Sequence, residues 1–275
     1  MKIIISHDVD HLFTKEHFFR DLIIPKMIIR TFIYFIQRKI TWKILTARWL
    51  SIFSKRMNRI KEVMEVDKEH NIPSTFFFGM NQGLGMSYYP EEARSIIKAV
   101  KEAGFDVGVH GIDFCNYETM QEEYKMFASI VHSQEFGIRT HYVRYDDNTF
   151  SQLSKIGYLF DTSEFNKEYP EAKKPYKIGK MWEFPLCIMD GYILPPEDLD
   201  GGIEKTIDAL EKAKVSGSPY CTILFHDFQY DESLYPVEKK WYDWLIQYLK
   251  KKDYEFISYR GAMKELERLN RRNQS

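Results

Sequence analysis

The sequence predicts a parallel α/β fold of about seven to eight strands that close toward a barrel. Short apolar runs rich in Ile, Phe and Val alternate with amphipathic helical segments along most of the 275 residues, an order typical of parallel sheets covered by helices. Polar residues recur at the carboxyl ends of these runs, which is where α/β barrels hold their chemistry. No GxGxxG or GxxxxGK motif is present, so a dinucleotide-binding or P-loop sheet is not expected.

Composition indicates one globular domain spanning residues 1–275. Hydrophobic residues make up 44% of the chain, enough for a sizeable core, and the net charge of −1 gives no basic excess for nucleic acid. The cysteines are odd in number and widely spaced, as in reduced cytoplasmic proteins: Cys115, Cys187 and Cys221. The first residues resemble a strand and not a secretory signal. We therefore expect a cytoplasmic protein.

The first strand delivers an unusual group of polar residues. Lys2 to Ser6 is a short β-branched run, and His7, Asp8, Asp10 and His11 follow it closely. Two carboxylates beside imidazoles are costly to bury unless a metal or a proton transfer uses them. The alternative is a polar turn in which an aspartate caps the next helix.

A basic amphipathic segment, residues 12–60, follows the first strand. Between Lys15 and Lys61 the net charge is +10, from twelve Lys and Arg against two acidic residues. Its longest uncharged run, Thr31 to Gln37, is far shorter than the roughly 20 residues of a spanning helix. Such a helical insertion could contact an anionic membrane face or an anionic substrate, or simply pack its apolar face on the domain.

The remaining elements follow from hydrophobic periodicity and from Gly and Pro boundaries. Helices are predicted at 60–70, 90–103, 117–131, 150–156, 202–214 and 237–251, with a closing helix from Gly261. Strands are predicted at 74–78, 105–109, 138–142, 158–160, 181–187, 221–225 and 254–259. The polar residues at or near the strand ends form a ladder: Asp8, Asp10, His110, Asp113, Arg139, His141, Asp161, Glu183, His226 and Asp227.

The order of these motifs resembles the polysaccharide deacetylases, the NodB-homology or carbohydrate-esterase-4 group. Four segments of the chain are similar to the motifs of this family. SHDVD (Ser6 to Asp10) is similar to TFDDG, and HGIDF (His110 to Phe114) to His-(Ser/Thr)-x-x-His. RTHY (Arg139 to Tyr142) is similar to Arg-x-Pro-Tyr, and ILFH (Ile223 to His226) to Leu-x-Ile-His. A divergent branch found with surface-polysaccharide and O-antigen synthesis genes is more similar still. The resemblance implies a distorted (β/α) barrel that hydrolyses N-acetyl groups on sugars with one divalent metal.

Carried over by motif, the resemblance makes Asp8 the general base and Asp10 and His110 metal ligands. The second histidine of the family motif is missing, because Phe114 occupies its place. A helix turn that sets two imidazoles on one metal is therefore not available in this chain.

Two residues are alternatives for the third ligand. His141 stands where the family has proline, and Asp113 lies three residues after His110. His141 is favoured because one carboxylate with two imidazoles suits catalytic Zn²⁺. His7 and His11 are further alternatives.

The same resemblance implies that Arg139 holds Asp8 ionised and that His226 is the general acid. Asp161, or else Glu183, would tether His226. Arg139 and Asp161 could instead form only a structural ion pair.

Two aromatic residues are candidates for substrate contact. Tyr142 and Trp182 could stack on a sugar ring or belong to the core, and the backbone N–H of Tyr142 could donate to an oxyanion.

Together these observations predict a zinc-dependent N-deacetylase of sugars in surface polysaccharide or glycolipid synthesis. The basic insertion suggests a lipid- or nucleotide-linked carbohydrate substrate and peripheral contact with the inner membrane face. Two other functions stay open: an inactive barrel that binds carbohydrate or scaffolds a complex, and a sister amidohydrolase acting on a formamide or a cyclic amide.

Overall fold

A computed structural model of the protein describes residues 1–19, 22–53, 56–168 and 172–272. Within these residues, nine strands form a curled, mostly parallel sheet with the shape of a half-barrel. They are β1 (Lys2–Val9), β2 (Thr75–Gly79), β3 (Asp106–Gly111), β4 (Ile138–Thr140), β5 (Phe160–Asp161), β6 (Tyr176–Ile178), β7 (Met181–Glu183), β8 (Ile188–Met189) and β9 (Tyr220–Leu224). Their order across the sheet is β6-β7-β5-β4-β3-β2-β1-β9-β8, and only the β6–β7 pair is antiparallel. The predicted parallel α/β architecture is confirmed.

Helices cover the sheet, and among the described helices outside the insertion only α8 was not predicted from the sequence. They are α1 (Glu16–Phe19), α2 (Ile23–Ile36), α3 (Trp42–Leu50), α4 (Ile60–Glu69), α5 (Pro90–Glu102), α6 (Tyr117–Val131), α7 (Thr149–Ile156), α8 (Asp190–Ile193), α9 (Leu199–Val215), α10 (Pro236–Lys251) and α11 (Tyr259–Arg272). Local signals fix several ends: proline opens α5 and α10, and the Asn116 side chain accepts the Thr119 N–H at the start of α6.

The central strand β1 is longer than predicted. Its apolar run is fully buried because both faces of the strand are covered, so the usual alternation disappears. Pairing with β2 continues to Val9, which places His7 and Asp8 inside the strand and on opposite faces. The His7 ring bonds the Asp67 carboxylate through Nε2 (2.9 Å) and the Phe225 carbonyl through Nδ1 (3.0 Å). The alternative of His7 as a metal ligand is therefore wrong, since both ring nitrogens already have partners.

The predicted strand 181–187 is shorter in the structure: only β7 lies within it, and β8 begins just after it, at Ile188 on the other side of the half-barrel. β7 pairs with β5, whereas β8 pairs with β9 at the other edge. The chain crosses between them near Pro185, which has no N–H to donate to a ladder. A single bridge between Phe165 and Leu186 joins the two sides.

The predicted last strand, 254–259, is wrong. This segment contributes one bridge, between Phe256 and Ile3, and α11 begins at Tyr259. β6 was not predicted, because its residues are mostly exposed and carry no apolar run.

The insertion between β1 and α4 consists of α1, α2, α3 and a 3₁₀ turn, Ser51–Phe53. It leaves and rejoins the barrel at one point, where the Leu12 carbonyl accepts hydrogen bonds from the Met57 N–H (3.1 Å) and the Asn58 side chain (2.9 Å). Arg59 then donates its backbone N–H to Asp227 (2.8 Å). In the described part of the chain, no helix is both long and apolar enough to cross a membrane.

Candidate active site

Three side chains converge where the strands end at the carboxyl edge of the sheet. Asp10 follows β1, His110 lies in β3 and His141 follows β4, and one ligand atom from each lies within 4.8 Å of the others. The His110 Nε2 and His141 Nδ1 atoms are 2.9 Å apart. Asp10 Oδ1 lies 3.3 Å from the first and 3.6 Å from the second.

Backbone carbonyls orient both rings toward this point. His110 Nδ1 bonds the Arg139 carbonyl at 3.0 Å, and His141 Nε2 lies 3.2 Å from the Leu84 carbonyl. If each of these nitrogens carries the proton of a neutral ring, then His110 Nε2 and His141 Nδ1 face each other as lone pairs. The buried Asp10 Oδ1 beside them has no hydrogen-bond partner. Two lone pairs and an unpaired carboxylate oxygen are a donor set that fits a divalent cation such as Zn²⁺.

The pKa values of Asp10 and His141 agree with that donor set, whereas for His110 the carboxylates of Asp8 and Asp10 outweigh burial and raise the pKa. Burial alone would raise the pKa of Asp10, but the neighbouring imidazoles of His110, His141 and His226 hold it well below its usual range. Burial lowers the pKa of His141 to about 4. At neutral pH His141 is therefore an uncharged imidazole that can offer a lone pair to a metal, and Asp10 is ionised.

Asp113, the alternative third ligand, lies outside this group. Its carboxylate accepts the backbone N–H groups of Cys115 and Asn116, both at 2.9 Å, in the turn before α6. His141 reaches the site because β4 pairs directly with β3. His11, the other alternative, packs its ring against His17 and Phe228 instead.

Asp8 lies beside the metal-ligand candidates and against a buried arginine. Arg139 Nη1 donates to Asp8 Oδ1 at 2.8 Å, while the second oxygen, Oδ2, lies 3.6 Å from His110 Nε2. Further hydrogen bonds to Ser6, Thr162 and Tyr259 hold the guanidinium in place. Arg139 therefore engages one oxygen of Asp8 and leaves the other directed at the site.

His226 lies on the opposite side of Asp10, with Nε2 3.8 Å from Asp10 Oδ2. Its Nδ1 bonds Asp190 Oδ1 at 2.7 Å, and its backbone N–H donates to Asp190 Oδ2 at 2.6 Å. Burial alone would lower the pKa of His226, but the charge and hydrogen bond of Asp190 raise it to about 10. His226 is thus protonated at neutral pH and fixed by two bonds to one carboxylate.

The expected tether, Asp161 or Glu183, is wrong. Asp161 accepts the Ser163 hydroxyl (2.6 Å), and Glu183 accepts the Glu164 N–H (3.1 Å). Burial raises the pKa of both carboxyls, and that of Glu183, beside Asp161, more strongly. They lie on β5 and β7, whereas His226 follows β9, which is flanked by β8 and thus by Asp190.

Asp190 was not predicted as a site residue, because the strand that precedes it has only two residues. The available signal was its position directly after the apolar run of β8, the same pattern as the other polar strand ends.

The two aromatic candidates differ in position. Tyr142 is exposed beside the site, with its ring 4.1 Å from that of His141 and its hydroxyl donating to the Leu84 carbonyl. Trp182 is buried, packs in the cluster that contains Phe160 and Phe184, and carries Lys177 over its ring. Sugar stacking by Trp182 is therefore wrong, because its indole belongs to the core.

A buried carboxyl supports the loop that follows His110. Glu123 of α6 accepts the Ile112 N–H at 3.0 Å, and burial raises its pKa to about 8.

This pKa predicts a pH-dependent stability. The folded protein keeps the Glu123 proton between pH 4.5 and about 8, where the unfolded chain has lost it, so the free energy of unfolding falls as pH rises through that window. Glu123→Gln retains the acceptor oxygen but does not titrate. We therefore expect it to lack this fall in the free energy of unfolding, which amounts to roughly a few kcal/mol in wild type. Urea unfolding of both proteins at pH 5 and pH 8.5 measures it. An equal change in the free energy of unfolding between the two pH values in both proteins would contradict the assignment of the raised pKa to Glu123.

Comparisons with known proteins agree on the architecture. No family model and no curated protein matches the chain. Among solved structures, a polysaccharide deacetylase candidate from Mycobacterium smegmatis is similar with a TM-score of 0.60 at 14% identity, covering 98% of this chain and 90% of that one. Puue allantoinase is similar with a TM-score of 0.59 at 16% identity, covering 94% and 87%.

A third similar structure is a mutant of BA3943 from Bacillus anthracis, a carbohydrate-esterase-4 pseudoenzyme with restored activity. Its TM-score is 0.51 at 11% identity, and the match covers 94% of this chain and 65% of that one. The chain has a NodB-like distorted (β/α) barrel. The fold implied by the sequence motifs is confirmed, and polysaccharide deacetylases recur among the structures that share it.

Proposed function

We propose that this barrel is a metal-dependent hydrolase that removes an acetyl or related acyl group from the nitrogen of an amino sugar, in surface polysaccharide or glycolipid synthesis. The observation that carries the proposal is the convergence of Asp10 Oδ1, His110 Nε2 and His141 Nδ1, with Asp8–Arg139 on one side and His226–Asp190 on the other. The recurrence of deacetylases among proteins of this fold supports it.

Asp10, His110 and His141 would hold one divalent metal, for which we propose Zn²⁺ because of the carboxylate and two imidazoles. When bound, the metal would polarise the amide carbonyl and make a nearby water more acidic. His141 takes the part of the histidine that Phe114 replaces in the family motif. Tyr142 borders the site and would contact the sugar.

Proton transfer falls to the chain's own residues. Asp8 accepts the proton of the attacking water at Oδ2, since Arg139 engages Oδ1 and leaves Oδ2 directed at the site. His226 donates a proton from Nε2 to the leaving nitrogen, while Asp190 holds Nδ1 and so fixes the orientation of the ring. The amine leaves neutral, and the acyl group is released as its acid.

Activity on a panel of substrates tests the proposal. Zinc-loaded protein is expected to release acetate from N-acetylated amino sugars faster than it releases formate from N-formyl sugars or opens allantoin. Allantoin belongs in the panel because an allantoinase shares the fold at a similar TM-score. Turnover of allantoin alone would replace the proposal with a cyclic amidohydrolase. Carbohydrate binding without any turnover would replace it with an inactive binding barrel.

A further inference from the structure

A basic cavity lies between the insertion and the active site. It measures about 280 Å³, and its lining includes Lys26, Arg30, Tyr34 and Arg48 from α2 and α3. Among the described residues no carboxylate lines it, although Glu238 of α10 lies within electrostatic reach of Arg48. One guanidinium nitrogen of Arg48 donates to the Leu234 carbonyl at 3.3 Å, which positions the remaining donors.

The aromatic side chain of Phe228 links the wall of this cavity to the proposed general acid. The Phe228 ring lies 5.9 Å from the ring of His226 and contacts two residues of the cavity wall, His11 at 5.0 Å and Tyr235 at 5.4 Å. His11 is also the neighbour of Asp10 in the chain. The cavity therefore lies on the side of the proposed active site where His226 and Phe228 stand.

We propose that the cavity binds a phosphate or pyrophosphate group of the substrate, which rests on the proposed function for its link to catalysis. Guanidinium groups suit phosphate oxygens because each offers several N–H donors in one plane, and Lys26 adds a point charge. The group could belong to a lipid phosphate or to a nucleotide, since both carry the same phosphate chemistry.

Calorimetry with inorganic pyrophosphate on EDTA-treated protein tests the cavity without any catalysis. Wild type is expected to bind, and Arg30→Gln and Arg48→Gln are each expected to weaken binding roughly tenfold, because a charged hydrogen bond is lost. Lys43→Gln, another exposed basic residue of the insertion that does not line the cavity, is the matched control and should bind like wild type. Thermal unfolding followed by circular dichroism checks that each variant folds.

Three results would overturn the proposal: no binding of pyrophosphate by wild type, wild-type affinity for pyrophosphate in both arginine variants, or binding of malonate as tight as that of pyrophosphate, which would indicate a general anion site. Uridine diphosphate and farnesyl pyrophosphate distinguish the nucleotide source from the lipid source. In the deacetylase assay, a sugar 1-phosphate should have a lower KM than the free sugar in wild type but not in Arg30→Gln. Because pyrophosphate binding needs no turnover, its presence in an inactive protein would leave the cavity assigned and only the deacetylase proposal rejected.

A second feature of the insertion is an exposed apolar face. Ile29, Phe32, Ile33 and Ile36 lie on one side of α2, at the spacing of one helix face. Ile29 and Ile36 are 63% and 64% exposed. Further exposed apolar residues of the insertion are Trp42, Trp49, Leu50 and Phe53. Monomeric proteins seldom leave a contiguous apolar surface of this kind uncovered.

The charge around this face indicates what covers it. Between Leu22 and Phe53 the sequence contains no acidic residue and six basic ones: Lys26, Arg30, Arg38, Lys39, Lys43 and Arg48. An apolar helix face flanked by Lys and Arg fits a bilayer rich in anionic lipid, which takes up the apolar side chains and attracts the cations. We infer that α2 and α3 dock this face on an anionic membrane surface.

Sedimentation with lipid vesicles tests the membrane contact. The protein is expected to bind vesicles of phosphatidylcholine with 30% phosphatidylglycerol, and binding should fall by roughly tenfold in the double variant Ile33→Ser, Ile36→Ser. Val215→Ser with Leu269→Ser removes exposed apolar side chains elsewhere and should leave binding unchanged. Absent binding, equal losses in both double variants, or a solution dimer that only the α2 variant dissociates would overturn the inference, the last by assigning the face to a second copy.

Discussion

Asp10→Asn is expected to abolish both metal retention and hydrolysis. Asparagine keeps the volume of the side chain but removes the charge that would balance a divalent cation, and Asp10 Oδ1 is the oxygen directed at His110 and His141. A bound metal supplies several kcal/mol of transition-state stabilisation, so activity should fall by about a thousandfold or more. Elemental analysis of protein purified without chelator, together with acetate release, measures both effects.

Two further variants identify the third ligand in the same experiment. His141→Ala should lose metal, because its Nδ1 lies 2.9 Å from His110 Nε2. Asp113→Ala should retain about one metal per chain, because its carboxylate serves the turn before α6. The reverse pattern would reject His141 as the ligand, and wild-type activity in Asp10→Asn would reject the metal site altogether.

Asp190→Asn is expected to lower kcat for amide hydrolysis by about a hundredfold while leaving KM and metal content near their wild-type values. The amide can no longer supply the negative charge that stabilises protonated His226, whose Nδ1 it faces at 2.7 Å. General acid catalysis commonly contributes a factor of about 10² to 10⁴. Steady-state kinetics on an N-acetyl sugar measures the change.

A second substrate with a different leaving group distinguishes this positioning role of Asp190 from a general loss of structure. Nitrophenolate departs without protonation, so hydrolysis of nitrophenyl acetate should be much less affected in Asp190→Asn. Asp161→Asn is the matched control: it replaces the carboxylate that the sequence indicated as the tether, and it should change stability more than kcat. Equal losses on both substrates, or an equal loss of kcat in Asp161→Asn, would reject the assignment of Asp190.

The long, strongly patterned elements could be predicted from the sequence because local signals fix them. α6 has the predicted bounds, and β1, β2, β3 and β9 are buried apolar runs. Prediction failed for the short strands β6 and β8. β6 consists of mostly exposed residues without an apolar run, and β8 has only two residues and exists because it pairs with β9, which lies far along the chain.

The candidate site follows the same division. Asp8, Asp10, His110, Arg139, His141 and His226 each end or follow a recognisable strand, so their meeting could be predicted from the topology alone. Asp190, and not Asp161, is the carboxylate that bonds His226. This could not be predicted, because it depends on which strand lies beside β9. Likewise, the core position of Trp182 depends on packing against Phe160 and Phe184, which the sequence of β7 does not encode.

The single junction of the insertion at Leu12 has a consequence for how such proteins can diversify. The excursion starts and finishes within hydrogen-bond distance of one carbonyl, so a segment of another length could replace it without moving β1 or α4. Loop-closure entropy grows only slowly with length, and grafted segments are tolerated where their ends lie close together. The barrel and its insertion can therefore change in sequence and length, through evolution or engineering, independently of each other.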